Sequence, residues 1–325
     1  MDTQAAENPR LILAPLRGVT GLSFRQAFCA HMSGLDYAVA PFIATVAGER
    51  VKPEVLRPID PSTQPAGLPL VPQVIGKDPN QLRVMLRAMQ ALGYKDVDLN
   101  AGCPWPFVAK KGRGSGLLRD PDALEAMVAA GCETLGSGHF SIKVRLGLDE
   151  KTLLLKRLPI LLKYPLREIC VHPRTAKQMY EGIVDLEAFA RVAEQVEGVP
   201  LIYNGDIRTL EDFQALHARF PKVAGWMLGR GIVANPFLAE SIRAGKDCRN
   251  LERFKAWHTT ILENYASSSS GDHALLGHLK ELWSYLAPTF QDGARLWDGL
   301  KLTRTRDEFE RVLSFSPLRF KETSK

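Results

Sequence analysis

Several features that would narrow a function at once are missing from this chain. Its five cysteines (Cys29, Cys103, Cys132, Cys170 and Cys248) are odd in number and scattered, and none is spaced as CxxC. Neither a disulfide framework nor a zinc site is therefore indicated, and no metal is expected. No apolar run nears the ~20 residues of a membrane span; the longest, Leu158-Pro-Ile-Leu-Leu162, is far too short. The polar segment Met1 to Asn8 has no basic-then-apolar leader, so a soluble, cytoplasmic, monomeric chain is expected. Charge of one sign is scarce as well: 42 Lys+Arg against 36 Asp+Glu leave +6, a slight bias toward polyanions. With 45% hydrophobic and 24% charged residues, a disordered or collagen-like chain is excluded.

What is present is alternation. Eight short apolar runs read as buried strands: Leu11–Pro15, Asp36–Ala40, Leu70–Ile75, Val97–Asn100, Ser141–Arg145, Glu168–His172, Leu201–Asn204 and Gly225–Gly229. Between them lie helical stretches at Pro79–Leu92, Pro121–Leu135 behind an Asp120 cap, Asp185–Val196, and Thr209–Phe220 with Asp212 completing a capping pair. An α/β fold follows, a (β/α)8 TIM barrel of the usual size, ~250 residues. A doubly wound open sheet is the alternative, but no G-x-G-x-x-G follows the first strand. Pro53, Pro58, Pro61, Pro65 and Pro69 predict a long irregular loop in place of the second helix. Beyond residue 244 no strand is evident. Helical stripes, joined first through Ser267–Gly271, predict a smaller all-α domain over 245–325 after a barrel over 1–244. From Arg243 onward 14 basic and 11 acidic residues concentrate the positive excess in this tail.

In a barrel of this kind, chemistry gathers at the C-terminal strand ends. Those positions carry Arg17, Gln73, Asn100, Cys103, Lys143, Arg145, His172, Arg174, Asn204, Asp206 and Arg230. Gly205, Gly229 and Gly231, with Arg230, stand in the seventh and eighth loops, where barrels bind phosphate through backbone N–H groups. Cys103 opens a loop bearing Lys110, Lys111 and Arg113, cations that lower a thiol pKa, beside Trp105 and Phe107, apolar neighbours that raise it. Sequence leaves that contest open. His172 and Lys143, on adjacent strand ends, read as ligand contacts.

The ordered series Ala14-Pro15 with Gly18, Thr20 and Phe24-Arg25; Asp98-Leu-Asn100 with Gly102-Cys-Pro104 and Gly112 to Leu118; Lys143-Val-Arg145; His172-Pro-Arg-Thr175 with Gln178, Tyr180 and Gly182; Asn204-Gly-Asp206; and Gly229-Arg-Gly231 resembles the tRNA-dihydrouridine synthases over nearly the whole chain. The resemblance implies an FMN-bearing barrel, NADPH as reductant, and a helical domain that helps grip tRNA. It implies Pro15, Leu16 and Arg17 lining the flavin, Gln73, Lys143 and His172 contacting its ring, and Asn204, Gly205, Asp206, Gly229 and Arg230 holding ribityl and phosphate. Cys103 would be the general acid and Asn100 would face the uridine. Arg145, Arg174, Lys280, Lys301 and Arg304 would join it in substrate binding, with Arg306, Lys110, Lys111 and Arg113 as further RNA contacts. Leu279-Lys-Glu-Leu-Trp-Ser-Tyr-Leu286 is similar to the bacterial branch that modifies uridine 16. Arg17 stands where that branch usually has an acidic residue, and Trp105-Pro106 where smaller or polar residues are common. Two other readings are a flavin barrel reducing a free small molecule, such as a pyrimidine or enone, and an RNA-binding barrel without catalysis. The first leaves the basic tail unexplained, and the second leaves Cys103, Lys143 and His172 without a task.

Overall fold

The computed structural model describes residues 9–314, 316 and 318–322, so the polar Met1–Asn8 segment lies outside the described residues. Ten short parallel strands make one sheet: β1 (Leu11–Leu13), β2 (Tyr37–Val39), β3 (Ile43–Ala44), β4 (Leu70–Val71), β5 (Gln73–Ile75), β6 (Val97–Ala101), β7 (Phe140–Gly147), β8 (Ile169–Thr175), β9 (Leu201–Asn204) and β10 (Gly225–Leu228). Their order is β3-β5-β6-β7-β8-β9-β10-β1-β2-β4. β4 and β5 are two halves of the single run expected over Leu70–Ile75, parted by Pro72, which has no N–H for the ladder. β4 pairs with β2, β5 pairs with β6, and the Pro72 carbonyl accepts from Asp98 N at 2.8 Å. The two ends of the order therefore meet in this one segment, and the sheet closes as an eight-stranded barrel. β3, beside β5, is a short addition that the sequence pattern does not reveal.

The helices sit where capping chemistry puts them. Asp78, Asp120 and Asp185 accept first-turn N–H groups at Pro79–Ala91, Pro121–Leu135 and Leu186–Gln195, and Thr209 with Asp212 forms a reciprocal capping box at Leu210–Arg219. The proline-rich stretch holds only the short helix Pro53–Leu56 and two single 3₁₀ turns. Arg25, buried, pins that loop by donating to the Pro58 carbonyl and to Gln64 Oε1.

Strand periodicity of two then divides the side chains. Val97, Leu99 and Ala101 of β6 and Ile142, Val144 and Leu146 of β7 join the large outer core under the helices. The alternate residues point inward: Asp98 and Asn100, Ser141, Lys143 and Arg145, then Cys170, His172 and Arg174 on β8. Opposite them, Ile12, Ala14, Val39, Val71, Ile202 and Met227 form a separate inner apolar cluster with Tyr37 and Cys170. One half of the barrel interior is thus polar and the other apolar.

Among the described residues the tail's longer elements are helices, Leu251–Ser268, Asp272–Leu286, Gly293–Leu300 and Arg306–Ser314, with one isolated antiparallel bridge between Phe290 and Phe320. Ser267 and Ser268 belong to the first of these helices, each donating to the Asn264 carbonyl, so the expected five-residue joint shrinks to the turn before Asp272. Phe24 of the helix Leu22–His31 meets Trp257 edge-on with centroids 6.0 Å apart, and one continuous apolar core runs from barrel helices into tail helices. Among the described residues no helix is long and apolar enough to cross a membrane.

Candidate active site

A cleft with about 940 Å³ of empty space, its open mouth included, lies at the C-terminal end of the strands. Its walls carry five basic side chains (Arg17, Lys143, Arg145, Arg208 and Arg230) against a single carboxylate, Asp206. Pro15, Leu16, Asn100, Cys103, His172, Asn204, Gly205 and Gly229, all expected at the site, line it as well.

The thiol is held by a relay that starts beneath it. Ser141 Oγ donates to Asp98 Oδ1 (2.8 Å), and Gln73 Nε2 donates to Asp98 Oδ2 (2.7 Å). Asn100 Nδ2 donates to Gln73 Oε1 (2.8 Å), and Asn100 Oδ1 accepts from Cys103 N (2.9 Å). Gln73 is fully buried and does not line the cleft; its amide orients Asn100. Asp98, part of the resembling series but given no role there, ends the relay, and burial raises its carboxyl to about 6.

Cys103 itself is buried, and Ser115 N and Oγ both donate to its carbonyl. Gly114, at φ +57°, crosses it so closely that a Cβ would lie 2.8 Å from Cys103 Cβ, a place and conformation only glycine fills without strain. Burial raises the thiol above its ordinary value, outweighing the hydrogen bond at Trp105 and the charges of Arg145, Arg17 and Lys143, which lower it. The contest left open by sequence thus goes to the protonated thiol. Trp105 and Phe107 are not its cover: they are 60% and 73% exposed.

Across the cleft, Asp206 adopts φ +43° at the end of β9 and gathers three guanidinium groups. Arg174 donates to both its oxygens, Arg230 lies at 2.7 Å and Arg208 at 3.7 Å. Arg174 is fully buried and outside the cleft lining, and it anchors Asp206 and the carbonyls of Glu181 and Gly182. Arg145 lines the cleft but also donates to the carbonyls of Thr175 and Met179, at 2.9 and 2.6 Å, so the two arginines fasten the loop that carries Tyr180. Arg174 Nη1 lies 3.1 Å from His172 Nε2; a guanidinium only donates, so Nε2 accepts and the imidazole is neutral with its proton on Nδ1. Burial, then the charges of Arg145, Lys143, Arg174 and Arg230, keep its pKa well below the ordinary 6.5.

Three glycines expected to open this side behave differently from one another. A Cβ on Gly231 would meet the Ile207 carbonyl oxygen at 2.0 Å, and one on Gly205 would meet Val184 at 2.9 Å, so both are dictated by packing. A Cβ on Gly229 would touch only Ala14, at 3.5 Å, which leaves this position open to the cleft. Asn204 Nδ2 donates to the Met227 carbonyl and ties β9 to β10.

The expected tail contacts are largely committed elsewhere. Lys280 Nζ caps the carbonyls of Lys301 and Thr303, Lys301 pairs with Asp298, and Arg306 pairs with Glu310. Arg304 is exposed, and among the described residues its guanidinium has no acidic partner. Sequence reading does not reach Phe42, Ile207 and Arg208, which also line the cleft; the position of Arg208 two residues beyond a strand-end acid is the one signal that could have found it.

Barrel, thiol-bearing loop and cationic mouth together make a (β/α)8 barrel whose open end has the charge to suit an anionic ligand. Solved structures share the fold: morphinone reductase (TM-score 0.52, 15% identity, 74% of this chain and 87% of that one) and TcOYE (TM-score 0.55, 11% identity, 80% and 98%). The chain belongs to the dihydrouridine synthase (Dus) family, whose profile matches residues 12–308. It is 30% identical to the tRNA-dihydrouridine(16) synthase of Cupriavidus necator, over 95% of this chain and 97% of that one. It is 28% identical to a probable tRNA-dihydrouridine synthase of Staphylococcus aureus, over 79% and 78%.

Proposed function

We propose that this chain reduces the C5–C6 double bond of a uridine in the tRNA D-loop, at position 16, with FMN as cofactor and NADPH as reductant. Family membership supports the tRNA chemistry, and relatives named for position 16 align from end to end. The single observation that carries the reading is a buried thiol lining a cationic cleft on a barrel of this family, its pKa raised by burial.

The cleft fits a flavin. Among the described residues the Lys143 ammonium has neither a hydrogen-bond acceptor nor an ion-pair partner, although burial already lowers its pKa. It would hold an electron-rich edge of the flavin ring, with neutral His172 beside it. Gly229 leaves room for the ribityl-phosphate tail, and Arg230 and Arg208, oriented by Asp206, would neutralise the phosphate. Pro15, Leu16 and Arg17 would border the ring. FMN held there, and NADPH as its reductant, would supply the hydride for C6.

The remaining work belongs to side chains. Cys103 holds the proton that C5 needs, and its buried thiol keeps that proton through neutral pH. Asn100 spends one amide hydrogen on Gln73 and keeps the other for the uracil edge, so the Asp98–Gln73–Asn100 relay sets both the acid and the base-reading group. A uridine must leave its stack to enter, at a cost of a few kcal/mol. Residues 245–325, with Arg304, and the loop cations Lys110, Lys111 and Arg113 would meet the RNA backbone through shape and charge.

The test is direct. Purified yellow protein with NADPH and unmodified tRNA should produce dihydrouridine at one position, read by mass spectrometry, and leave free uridine untouched. Colourless protein that takes up no FMN refutes the cofactor; turnover of free uridine at a rate matching tRNA favours the small-molecule reading.

A further inference from the structure

Five large apolar side chains are strongly exposed among the described residues: Trp105, Phe107, Tyr180, Ile183 and Leu302. Four of the five belong to two short segments that each reach one opening. Trp105 and Tyr180 line the cleft, Phe107 lies two residues beyond Trp105, and Ile183 three beyond Tyr180. Singly exposed apolar residues are ordinary, but their grouping on two segments that reach the same cleft marks these segments as a contact zone.

The rings are not equivalent. Two guanidinium groups already lie over Tyr180, Arg145 at 5.2 Å and Arg230 at 5.3 Å from its centroid. Phe107 carries only Lys111, whose ammonium lies 4.1 Å from the ring centre. Trp105, among the described residues, has no ring or cation partner. Both rings therefore keep a free π-face, and both stand on the loop that carries the thiol. Charge selects what would cover them: from Leu99 to Arg119 the chain has Lys110, Lys111, Arg113 and Arg119 and no acidic residue. Lys77 adds a cation alongside, its Cδ 3.5 Å from where a Cβ on Gly112 would stand. An apolar protein surface would gain nothing from that density of cations. A nucleic acid strand gains from both, since flat bases stack on the rings while phosphates meet the ammonium and guanidinium groups.

We propose that Trp105 and Phe107 form a stacking platform for the unpaired nucleotides that flank the target uridine, a reading that rests on the tRNA function above. Drawing one base into the cleft strips its neighbours of a stacking partner, and rings beside the opening replace what is lost. The platform would thus favour substrates whose target uridine lies in a pliable single-stranded loop.

The full-length FMN enzyme tests this with unmodified tRNA. Phe107→Ala and Trp105→Ala should each weaken tRNA affinity by about 5- to 150-fold, the range for loss of one base–aromatic stack. The salt dependence of binding should keep its slope, whereas Lys110→Ala and Lys111→Ala should each lower it by about one. Phe107→Tyr should restore binding, and Phe107→Leu, which keeps apolar bulk without a π-face, should not. With the nucleotide 5′ or 3′ of the target made abasic in turn, one of the two substitutions should lose its effect. The platform is overturned if the alanine variants bind as wild type, if leucine rescues as well as tyrosine, or if the abasic tRNAs leave the penalties unchanged. Failure of the wild-type enzyme to form dihydrouridine in any tRNA removes the parent reading and this one together; normal activity with unaffected variants removes this one alone.

Discussion

Cys103→Ala removes one sulfur from a position that is 8% exposed. The gap is small, and the loop keeps its anchors, because Ser115 and Asn100 bind the backbone of residue 103 and not its side chain. A stability loss of roughly 1 kcal/mol is expected, comparable to one buried methylene, so the variant should fold and keep its flavin. Its chemistry should not survive as well. A positioned general acid contributes about 100- to 10,000-fold, or about 3 to 5 kcal/mol of barrier. Stopped-flow absorbance separates the halves of the reaction: reduction of the flavin by NADPH needs no proton from residue 103, whereas reoxidation by tRNA does. The pH profile adds a second constraint. Burial holds the thiol above its ordinary 9.0, and the protonated form is the active one, so the wild-type tRNA step should stay level through neutral pH. It should fall only as pH climbs past that value. Reoxidation in the alanine variant within about threefold of wild type, or a wild-type decline centred well below pH 9, refutes the assignment of Cys103 as the acid.

Four further outcomes follow from the geometry. Folding raises the Asp98 carboxyl from 3.8 to about 6, so the folded state holds its proton more tightly and stability falls as pH rises between those values, by about 3 kcal/mol. Urea unfolding at about pH 4.5 and pH 7, a window that captures about 2 kcal/mol of that loss, should show the difference shrink in Asp98→Asn, and equal differences in both proteins refute it. Gly114→Ala forces a side chain into a φ of +57° against Cys103 and should cost about 1–3 kcal/mol and slow the tRNA step; an unchanged Tm and rate would contradict the close crossing. Asp206→Ala strands the fully buried Arg174 charge and should cost about 3–5 kcal/mol together with FMN retention, whereas Asp206→Asn should recover part of both in calorimetry and cofactor titration. Arg304→Glu should reduce the salt slope of tRNA binding by one or slightly more, and an unaltered slope would exclude this face of the tail from the RNA contact.

Much of the architecture was legible because its causes are local. Asp120 before Pro121 and Thr209 with Asp212 state their helix starts in a few residues, and the alternation Val97-Asp-Leu-Asn-Ala101 states which side chains turn inward. The strand ends that build the cleft follow from that alternation plus the barrel's connectivity, so sequence alone places Lys143, His172 and Asn100 at its mouth. What residues of a similar kind do once there depends on partners far along the chain. Gln73 and Asp98 are 25 positions apart, Arg174 and Asp206 are 32, and only the closed sheet brings them into contact. Hence Gln73 orients a neighbour, Arg174 anchors a carboxylate beneath the surface, and Lys280 caps carbonyls of the tail. The state of the Cys103 thiol was likewise undecidable from its neighbours in sequence. Nearby cations and burial pull a thiol in opposite directions, and burial is a property of the folded whole.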